Sequence, residues 1–435
     1  MPVSKDKLIR GTIVHLTADP SVAGADALEV VEDGALLIRD GRIAAVDGAK
    51  TLLAKPDCQQ ATQYDYRGCY IFPGFIDTHV HYPQVDMIAS YGAQLLEWLE
   101  RYTFPAEIKF SDPVHAAGVA DFALSQLFRN GTTTAMMFAT VHPISVDAIF
   151  EAASRCNMRM ITGKVMMDRN CPEKLRDTAE QSYRDSQALI DRWHGTQRLN
   201  YAITPRFAPT SSEKQLELAG RLYADNPGVY VQSHVAENQS EVKWVAELYP
   251  WSRSYLDVYD HYGLLGDRAV YAHCIHLTSE DLIRMRETQT VAAFCPTSNL
   301  FLGSGLFDLN VARESGVRTG MATDVGGGTS FNMLETASEA YKVTQLNGNT
   351  VNALQLLYEI TLGGARALSL QQHIGNFETG KEADFVVLDP QASELLGRRI
   401  ELVDTIEEKL FALIMLADDR LTRATHLMGE RVYSS

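Results

Sequence analysis

The sequence predicts an α/β protein in which an eight-stranded parallel β/α (TIM-type) barrel carries a small, discontinuous β-sandwich domain. Two observations support this fold. Strand and helix patterns alternate through the long middle of the chain, and both ends of the chain are rich in strand patterns. We therefore expect residues 71–375 to form the barrel, and residues 1–70 and 376–435 to pair as the two parts of the sandwich.

The segments at the two ends are short and are separated by turn signals. Asp40-Gly41 is a strong two-residue hairpin signal near the amino terminus. We predict end-domain strands over residues 8–17, 36–39, 42–46, 383–388 and 425–433, the last broken at Gly429-Glu430. Residues 393–419 are charged and amphipathic, which predicts a helical insertion in the carboxyl-terminal part.

In the middle of the chain, apolar runs of strand length alternate with amphipathic stretches. We predict barrel strands over residues 75–81, 132–138, 158–165, 199–204, 229–234, 269–272, 291–295 and 318–323. Helices are predicted between them, for example over residues 113–128, 145–156, 179–194, 212–224 and 279–287. Eight strands in a stretch of this length match a closed barrel better than an open sheet.

Residues suited to binding a metal follow the predicted barrel strands. His79 and His81 close the first strand, and alternate residues of a strand point to the same face, so their imidazoles lie side by side. His234, His273 and Asp324 stand at the ends of the fifth, sixth and eighth strands. The carboxyl ends of barrel strands meet at one face. Each residue alone could be a core histidine or a helix cap, but together they predict a catalytic metal site.

Zinc is the default ion for such a set, because imidazole and carboxylate ligands around an open position suit it, although iron(II) or manganese would fit too. A divalent cation lowers the pKa of its bound water from ~15.7 to roughly 7. Asp324 is placed to accept the proton of that water, and Glu237 can carry it to a substrate ring nitrogen and to the leaving group. His273 could ligate the ion or orient the attacking water.

Composition excludes several classes of function. The formal net charge is −16 and the sequence has no basic patch, so a general affinity for nucleic acid is not expected. The longest apolar run, residues 410–417, is far shorter than the roughly 20 residues that cross a bilayer. Six cysteines without a paired spacing indicate reduced thiols. We expect a soluble, cytoplasmic protein that binds neither nucleic acid nor membrane.

Nine stretches of the chain resemble one family of enzymes. They are residues 73–84 (PGFIDTHVHYPQ), 95–107 (LLEWLERYTFPAE), 130–135 (NGTTTA), 163–170 (GKVMMDRN), 204–211 (TPRFAPTS), 234–242 (HVAENQSEV), 271–277 (YAHCIHL), 294–309 (FCPTSNLFLGSGLFDL) and 323–334 (TDVGGGTSFNML). With these motifs the chain resembles the amidohydrolase superfamily, and within it the guanine deaminases, over nearly its whole length.

The resemblance implies a homodimer that converts free guanine to xanthine and ammonia, with one zinc ion in each subunit. The residues that it places around the zinc are His79, His81, His234, His273 and Asp324. It implies that Glu237 is the proton shuttle and that Gln84, Arg206 and Phe207 hold the purine, which His234, Glu237, His273 and Asp324 also border. An arginine can donate to a carbonyl oxygen, an amide can donate and accept, and an aromatic face can stack on a ring. Without the resemblance, Gln84, Arg206 and Phe207 would be interpreted as loop and core residues.

The sequence also allows other interpretations of the function. A related deaminase could act on an oxidised guanine, a pterin or a triazine, because one or two pocket residues can change the substrate. A non-catalytic scaffold would be expected to lack ligands, and none is missing. Two-metal relatives use a carboxylated lysine, usually on the fourth strand, whereas Lys164 lies on the third. This favours one metal, with Lys164 either in a structural salt bridge or behind the metal ligands. The His-x-Glu and Pro-Cys-x-x-Cys motifs of another zinc deaminase class do not occur.

Overall fold

The computed structural model describes residues 6–92 and 94–435 and places their strands in two sheets. In chain order the strands are β1 (Lys7–Leu16), β2 (Leu28–Arg39), β3 (Arg42–Gly48), β4 (Thr62–Pro73), β5 (Phe75–His81), β6 (Thr132–Phe138), β7 (Arg159–Gly163), β8 (Val165–Met166), β9 (Leu199–Pro205), β10 (Tyr230–Val235), β11 (Ala269–His273), β12 (Val291–Phe294), β13 (Arg318–Met321), β14 (Phe385–Leu388), β15 (Thr422–Leu427) and β16 (Glu430–Ser434).

The helices fall mostly between the strands of the middle region. Those of the middle region are Leu95–Trp98, Phe104–Ile108, Pro113–Arg129, Pro143–Arg155, Ala179–Trp193, Glu213–Asp225, Gln239–Leu248, Tyr255–His261, Ser279–Thr288, Pro296–Phe301, Leu309–Glu314, Met333–Leu346, Ala353–Ile360 and Leu362–Ala367. The two ends carry Pro20–Ala23, Ala49–Leu53, Pro56–Gln59, Glu394–Glu401 and Ile406–Met415. Within the described residues, every helix is too short or too polar to cross a bilayer.

The second sheet is the predicted barrel. Its strands follow the chain order β5-β6-β7-β9-β10-β11-β12-β13, all neighbours are parallel, and the two-residue β8 pairs with β9. The edges β5 and β13 meet through the Thr78 hydroxyl, which donates to the Met321 carbonyl oxygen at 2.9 Å. Gly163 is required where β7 approaches its neighbour, because a Cβ atom there would lie 1.7 Å from the Ala202 carbonyl oxygen. The barrel prediction is confirmed.

Both chain ends contribute to the other, mixed sheet, whose order is β16-β15-β14-β4-β1-β2-β3. The two ends meet where β14 pairs antiparallel with β4, with Phe385 opposite Pro73. The predicted pairing of the ends is therefore confirmed, and all seven strands belong to one hydrogen-bonded sheet. The domain boundaries at residues 70 and 375 stay predictions.

Several predicted boundaries were wrong for local reasons. The eighth barrel strand ends at Met321 rather than at residue 323, because the Thr323 hydroxyl and N–H donate to the Asp77 carboxylate. The third splits around Lys164, whose ammonium pairs with Asp177 as the predicted salt bridge. Residues 28–35 and 62–73 are strands that the sequence analysis did not assign, and the predicted helical insertion at 393–419 contains two helices.

A buried charge cluster joins the amino-terminal end of the barrel to the mixed sheet. The Arg198 guanidinium donates to Glu382 at 2.8 Å and to Asp384 at 2.7 Å, and Arg159 donates to Glu382 at 2.6 Å. These side chains are less than a tenth exposed. The two carboxylates are therefore stabilised only while the barrel arginines stay in place.

Replacing Arg198 with Met is expected to lower the unfolding free energy by about 3–5 kcal/mol, because it leaves buried carboxylate charge uncompensated. Urea unfolding measures the loss. The control is Arg155→Met, which breaks the ion pair with Asp121 on the surface and should cost at most about 1 kcal/mol. Equal, small losses for both variants would show that the cluster contributes no more than a surface pair.

Candidate metal centre and active site

The carboxyl end of the barrel brings together His79, His81, His234 and Asp324, whose coordinating atoms all lie within 4.8 Å of one another. Strand β5 supplies the first two histidines, β10 the third, and Asp324 follows the end of β13. The His81 Nε2 atom lies 3.0 Å from His79 Nε2 and 3.2 Å from His234 Nε2. Asp324 Oδ1 lies 3.2 Å from His79 Nε2 and 3.3 Å from His81 Nε2. The structure thus groups four residues that the sequence predicted as metal ligands.

The protonation states of this cluster suit a cation. Burial lowers the pKa of His81 to about 3, and it lowers the pKa values of His79 and His234 as well. His234 Nδ1 lies 2.7 Å from the Arg206 carbonyl oxygen, which can only accept, so Nδ1 carries the proton and Nε2 has a free lone pair. Burial by itself would raise the pKa of Asp324, but its contacts with the adjacent His79 and His81 imidazoles hold it well below its usual value.

His81 Nε2 faces the Nε2 atoms of His79 and His234 at 3.0 and 3.2 Å, and the ionised Asp324 carboxylate lies beside them; with the rings protonated on Nδ1, all three Nε2 atoms offer lone pairs. A cation at their common point satisfies every one of these lone pairs. Three nitrogens and one carboxylate form a donor set that suits a divalent first-row metal ion. These side chains are therefore able to hold a metal ion.

His273 lies at the side of this cluster. Its Nδ1 lies 2.8 Å from Asn299 Oδ1, and its Nε2 lies 3.3 Å from Glu237 Oε2 and 3.7 Å from Asp324 Oδ2. His273 and Asp324 have φ angles of 72° and 49°, in the left-handed region that side chains rarely adopt. This backbone strain at the strand ends aims both side chains toward the same space.

Glu237 is a buried acid next to that space. Burial, and secondly the neighbouring Asp324 charge, raise the pKa of Glu237 to about 8, although the Ser304 hydroxyl donates to its Oε1 at 2.9 Å. The backbone that carries it is fixed by the next helix, because Glu241 Oε2 accepts the N–H groups of Glu237 and Asn238 at 3.0 and 3.1 Å. A carboxyl group with such a pKa is protonated at neutral pH and can donate its proton.

A cavity opens onto the cluster. Its lining consists of His81, Gln84, Leu95, Trp98, Leu99, Arg206, Phe207, His234, Glu237, Glu241, His273, Leu302, Asp324 and Gly327. The three residues predicted to hold a purine, Gln84, Arg206 and Phe207, all line this cavity. Leucine and tryptophan side chains form the apolar part of its wall.

Sequence reasoning missed three residues that hold the predicted ones. Glu107 accepts two hydrogen bonds from Arg206 Nη1, both at 2.8 Å; Asn299 accepts from His273, and Ser304 donates to Glu237. All three lie inside stretches that resemble the family, but Glu107 and Ser304 do not directly follow a barrel strand, and Asn299, which lies five residues after β12, was given no role. Glutamate at the end of a helical pattern normally predicts solvent exposure, whereas Glu107 is fully buried.

The fold and the site together define a barrel enzyme able to hold a metal ion among histidines and an aspartate. The chain belongs to the amidohydrolase family, whose sequence profile matches residues 70–431.

Several guanine deaminases are similar to the chain over nearly its whole length. The chain is 51% identical over 432 residues to guanine deaminase of Escherichia coli K12, with 98% of each chain covered. The solved structure of an E. coli guanine deaminase superimposes on it with a TM-score of 0.96 at 50% identity, covering 98% of this chain and 99% of that one. Human guanine deaminase is 33% identical over 98% of this chain and 96% of its own. The guanine deaminase of C. acetobutylicum with bound guanine in its active site has a TM-score of 0.89 at 27% identity, covering 99% of this chain and 100% of that one.

Proposed function

We propose that this protein hydrolyses free guanine to xanthine and ammonia. The observation that carries the proposal is the position of the purine-binding candidates. Arg206 and Gln84 line the same cavity as three of the four candidate metal ligands and the buried acid Glu237. The relative at 51% identity over 98% of the chain is a guanine deaminase, and guanine occupies the active site of a related structure.

We propose zinc as the ion, held by His79, His81, His234 and Asp324, with one ion in each subunit. Nitrogen and carboxylate ligands with an open position are typical of catalytic zinc, and such an ion supplies a water molecule that is nucleophilic at neutral pH. Iron(II) or manganese would fit the same donors. His273 lies outside the four-residue group, and we assign it to orienting the attacking water through Nε2.

The chain's own groups bind the ring and move its protons. Arg206 donates to the guanine carbonyl oxygen, and the Gln84 amide faces the polar edge of the ring. Phe207 and the apolar wall cover its faces and exclude water. Glu237, protonated at neutral pH, gives its proton to the ring nitrogen beside the carbon that bears the amine. Asp324, ionised because its pKa is low, accepts the proton of the attacking water. That proton then leaves with ammonia, and Glu237 takes back a proton from the hydroxyl of the tetrahedral centre as the new carbonyl of xanthine forms.

The nearest alternative substrate is another amino-substituted ring, such as an oxidised guanine, a pterin or a triazine. The cavity contains one guanidinium and one amide, and their donors match a ring carbonyl. This match favours guanine over a triazine, which has no ring carbonyl to accept from Arg206. A homodimeric assembly and a cytoplasmic location stay predictions from the sequence.

Turnover by the purified protein tests the proposal. With zinc supplied, we expect loss of guanine absorbance, with xanthine and ammonia formed in equal amounts, at a kcat in the ordinary range of about 1–1,000 s⁻¹. Adenine, a pterin and an amino-triazine serve as comparison substrates in the same assay. If the metal-replete protein leaves guanine unchanged and converts one of the others, the substrate assignment is wrong, while the metal site is unaffected.

A further inference from the structure

Glu107 is a buried anion that contacts both polar residues of the proposed purine site. Its carboxylate accepts from Arg206 Nη1 with both oxygens at 2.8 Å and lies 3.4 Å from Gln84 Nε2. Its side chain is 0% exposed and that of Arg206 is 3% exposed. A charge-assisted hydrogen bond between two desolvated groups fixes the geometry of both.

The remaining contacts leave one side of each residue facing the cavity. Gln84 Oε1 accepts the Gly326 N–H at 3.2 Å, so both ends of the amide are anchored. The Arg206 guanidinium lies over the Phe104 ring, 5.5 Å from its centroid. Among residues 6–92 and 94–435, no further side chain or carbonyl accepts from the other guanidinium N–H groups of Arg206. These donors are therefore available to a ligand.

The contact with Glu107 also changes the charge that Arg206 brings to the cavity. Arg206 is the only lysine or arginine in the cavity lining of the described chain, and Glu107 neutralises it from behind. An uncompensated guanidinium in a buried site would attract anions strongly, because desolvated charges interact strongly at low dielectric. A guanidinium whose charge is compensated still donates hydrogen bonds, but it favours a neutral ring with a carbonyl oxygen over an anion.

We propose that Glu107 is a positioning residue that sets the orientation and the net charge of the Arg206–Gln84 pair, and so makes the site selective for a neutral purine base over an anionic one. This inference rests on the proposed function for the identity of the base. Glu107 itself is expected to touch neither the substrate nor the reacting atoms, because it lies behind Arg206.

Glu107→Gln tests this role, because it keeps the shape and removes the charge. We expect the KM for guanine to rise about 10-fold or more, the typical effect of losing a hydrogen bond to a charged partner, with kcat changed much less. Urate, a purine that is an anion at neutral pH, should inhibit the variant more strongly than the wild type. The matched control is Glu100→Gln, which changes an exposed glutamate of the same segment. It should leave the KM for guanine, kcat and the inhibition by urate unchanged.

Weaker binding of guanine together with stronger binding of urate would distinguish a positioning role from general damage to the site. If Glu107→Gln weakens the binding of guanine and of urate alike, or changes neither affinity, the proposal is wrong. If the variant is too unstable to purify, Arg206→Met and the double variant E107Q/R206M replace it. Without the arginine, the second substitution should alter guanine kcat/KM by no more than about twofold, and a larger further loss contradicts the proposal.

Equilibrium binding keeps this test apart from the proposed function. Guanine and urate affinities of the wild type and of Glu107→Gln can be measured by titration even in a protein that does not turn guanine over. Absence of turnover in the wild type would end the guanine deaminase assignment. A fall in the ratio of guanine affinity to urate affinity from the wild type to Glu107→Gln would still support the charge role of Glu107, and an unchanged or higher ratio would contradict it.

Discussion

Glu237→Gln is expected to lower kcat for guanine about 100- to 10,000-fold, the usual contribution of a positioned acid or base. Burial and the Asp324 charge raise the pKa of Glu237 to about 8, so the wild-type side chain holds a proton at neutral pH and can release it. A glutamine has nearly the same shape and its amide oxygen can still accept from the Ser304 hydroxyl. It cannot release a proton, so the loss should fall on kcat.

Steady-state kinetics and metal analysis together check this expectation. The variant should keep its bound metal, because Glu237 is outside the four-residue ligand group, and its KM should change by a few-fold at most. Glu247→Gln, an exposed glutamate on the helix that follows, is the control and should behave as wild type. A near-normal kcat with metal retained would remove Glu237 from proton transfer. Loss of the metal would instead make it a ligand.

The sequence was sufficient for the parts of the site that depend on strand periodicity and strand ends. Residues that follow parallel strands must meet at one face of a barrel, so His79, His81, His234 and Asp324 could be grouped before any coordinates. Glu237 lies three residues after His234 and was found in the same way. The choice between ligand and orienting role for His273 could not be predicted, because both roles place a histidine at the end of the same barrel strand.

The supporting contacts could not be predicted because they join segments that are far apart in the chain. Glu107 meets Arg206 across 99 residues and Ser304 meets Glu237 across 67. No local pattern reports such a pairing, and a single sequence offers no second signal. The same reason applies to the fold: β5 to β13 followed from local apolar runs, whereas the polar β4 is a strand only because β1 and β14 flank it.

Removal of the metal is expected to abolish guanine turnover and to destabilise the protein. A cation that binds only the folded state adds stability as its concentration exceeds Kd, about 4 kcal/mol at 1,000 times Kd. The ligand atoms of His79, His81, His234 and Asp324 lie within 4.8 Å of one another, so one ion would join β5, β10 and the loop after β13. Dialysis against a chelator should therefore lower the thermal midpoint, and zinc should restore both the midpoint and the activity.

Metal stoichiometry and ligand variants make this prediction specific. Elemental analysis should find one ion for each chain in the wild type, and Asp324→Asn should lose most of it, because the substitution removes the only carboxylate of the four-residue group. His261→Asn, which changes an exposed histidine at the end of the Tyr255–His261 helix, should retain the ion fully. If the chelated protein keeps its midpoint and its turnover, the histidine–aspartate cluster is a hydrogen-bonded core rather than a metal centre. If two ions are bound for each chain, the single-ion site is wrong, and the group formed by His273, Cys295 and Asp324 becomes the place to look for the second.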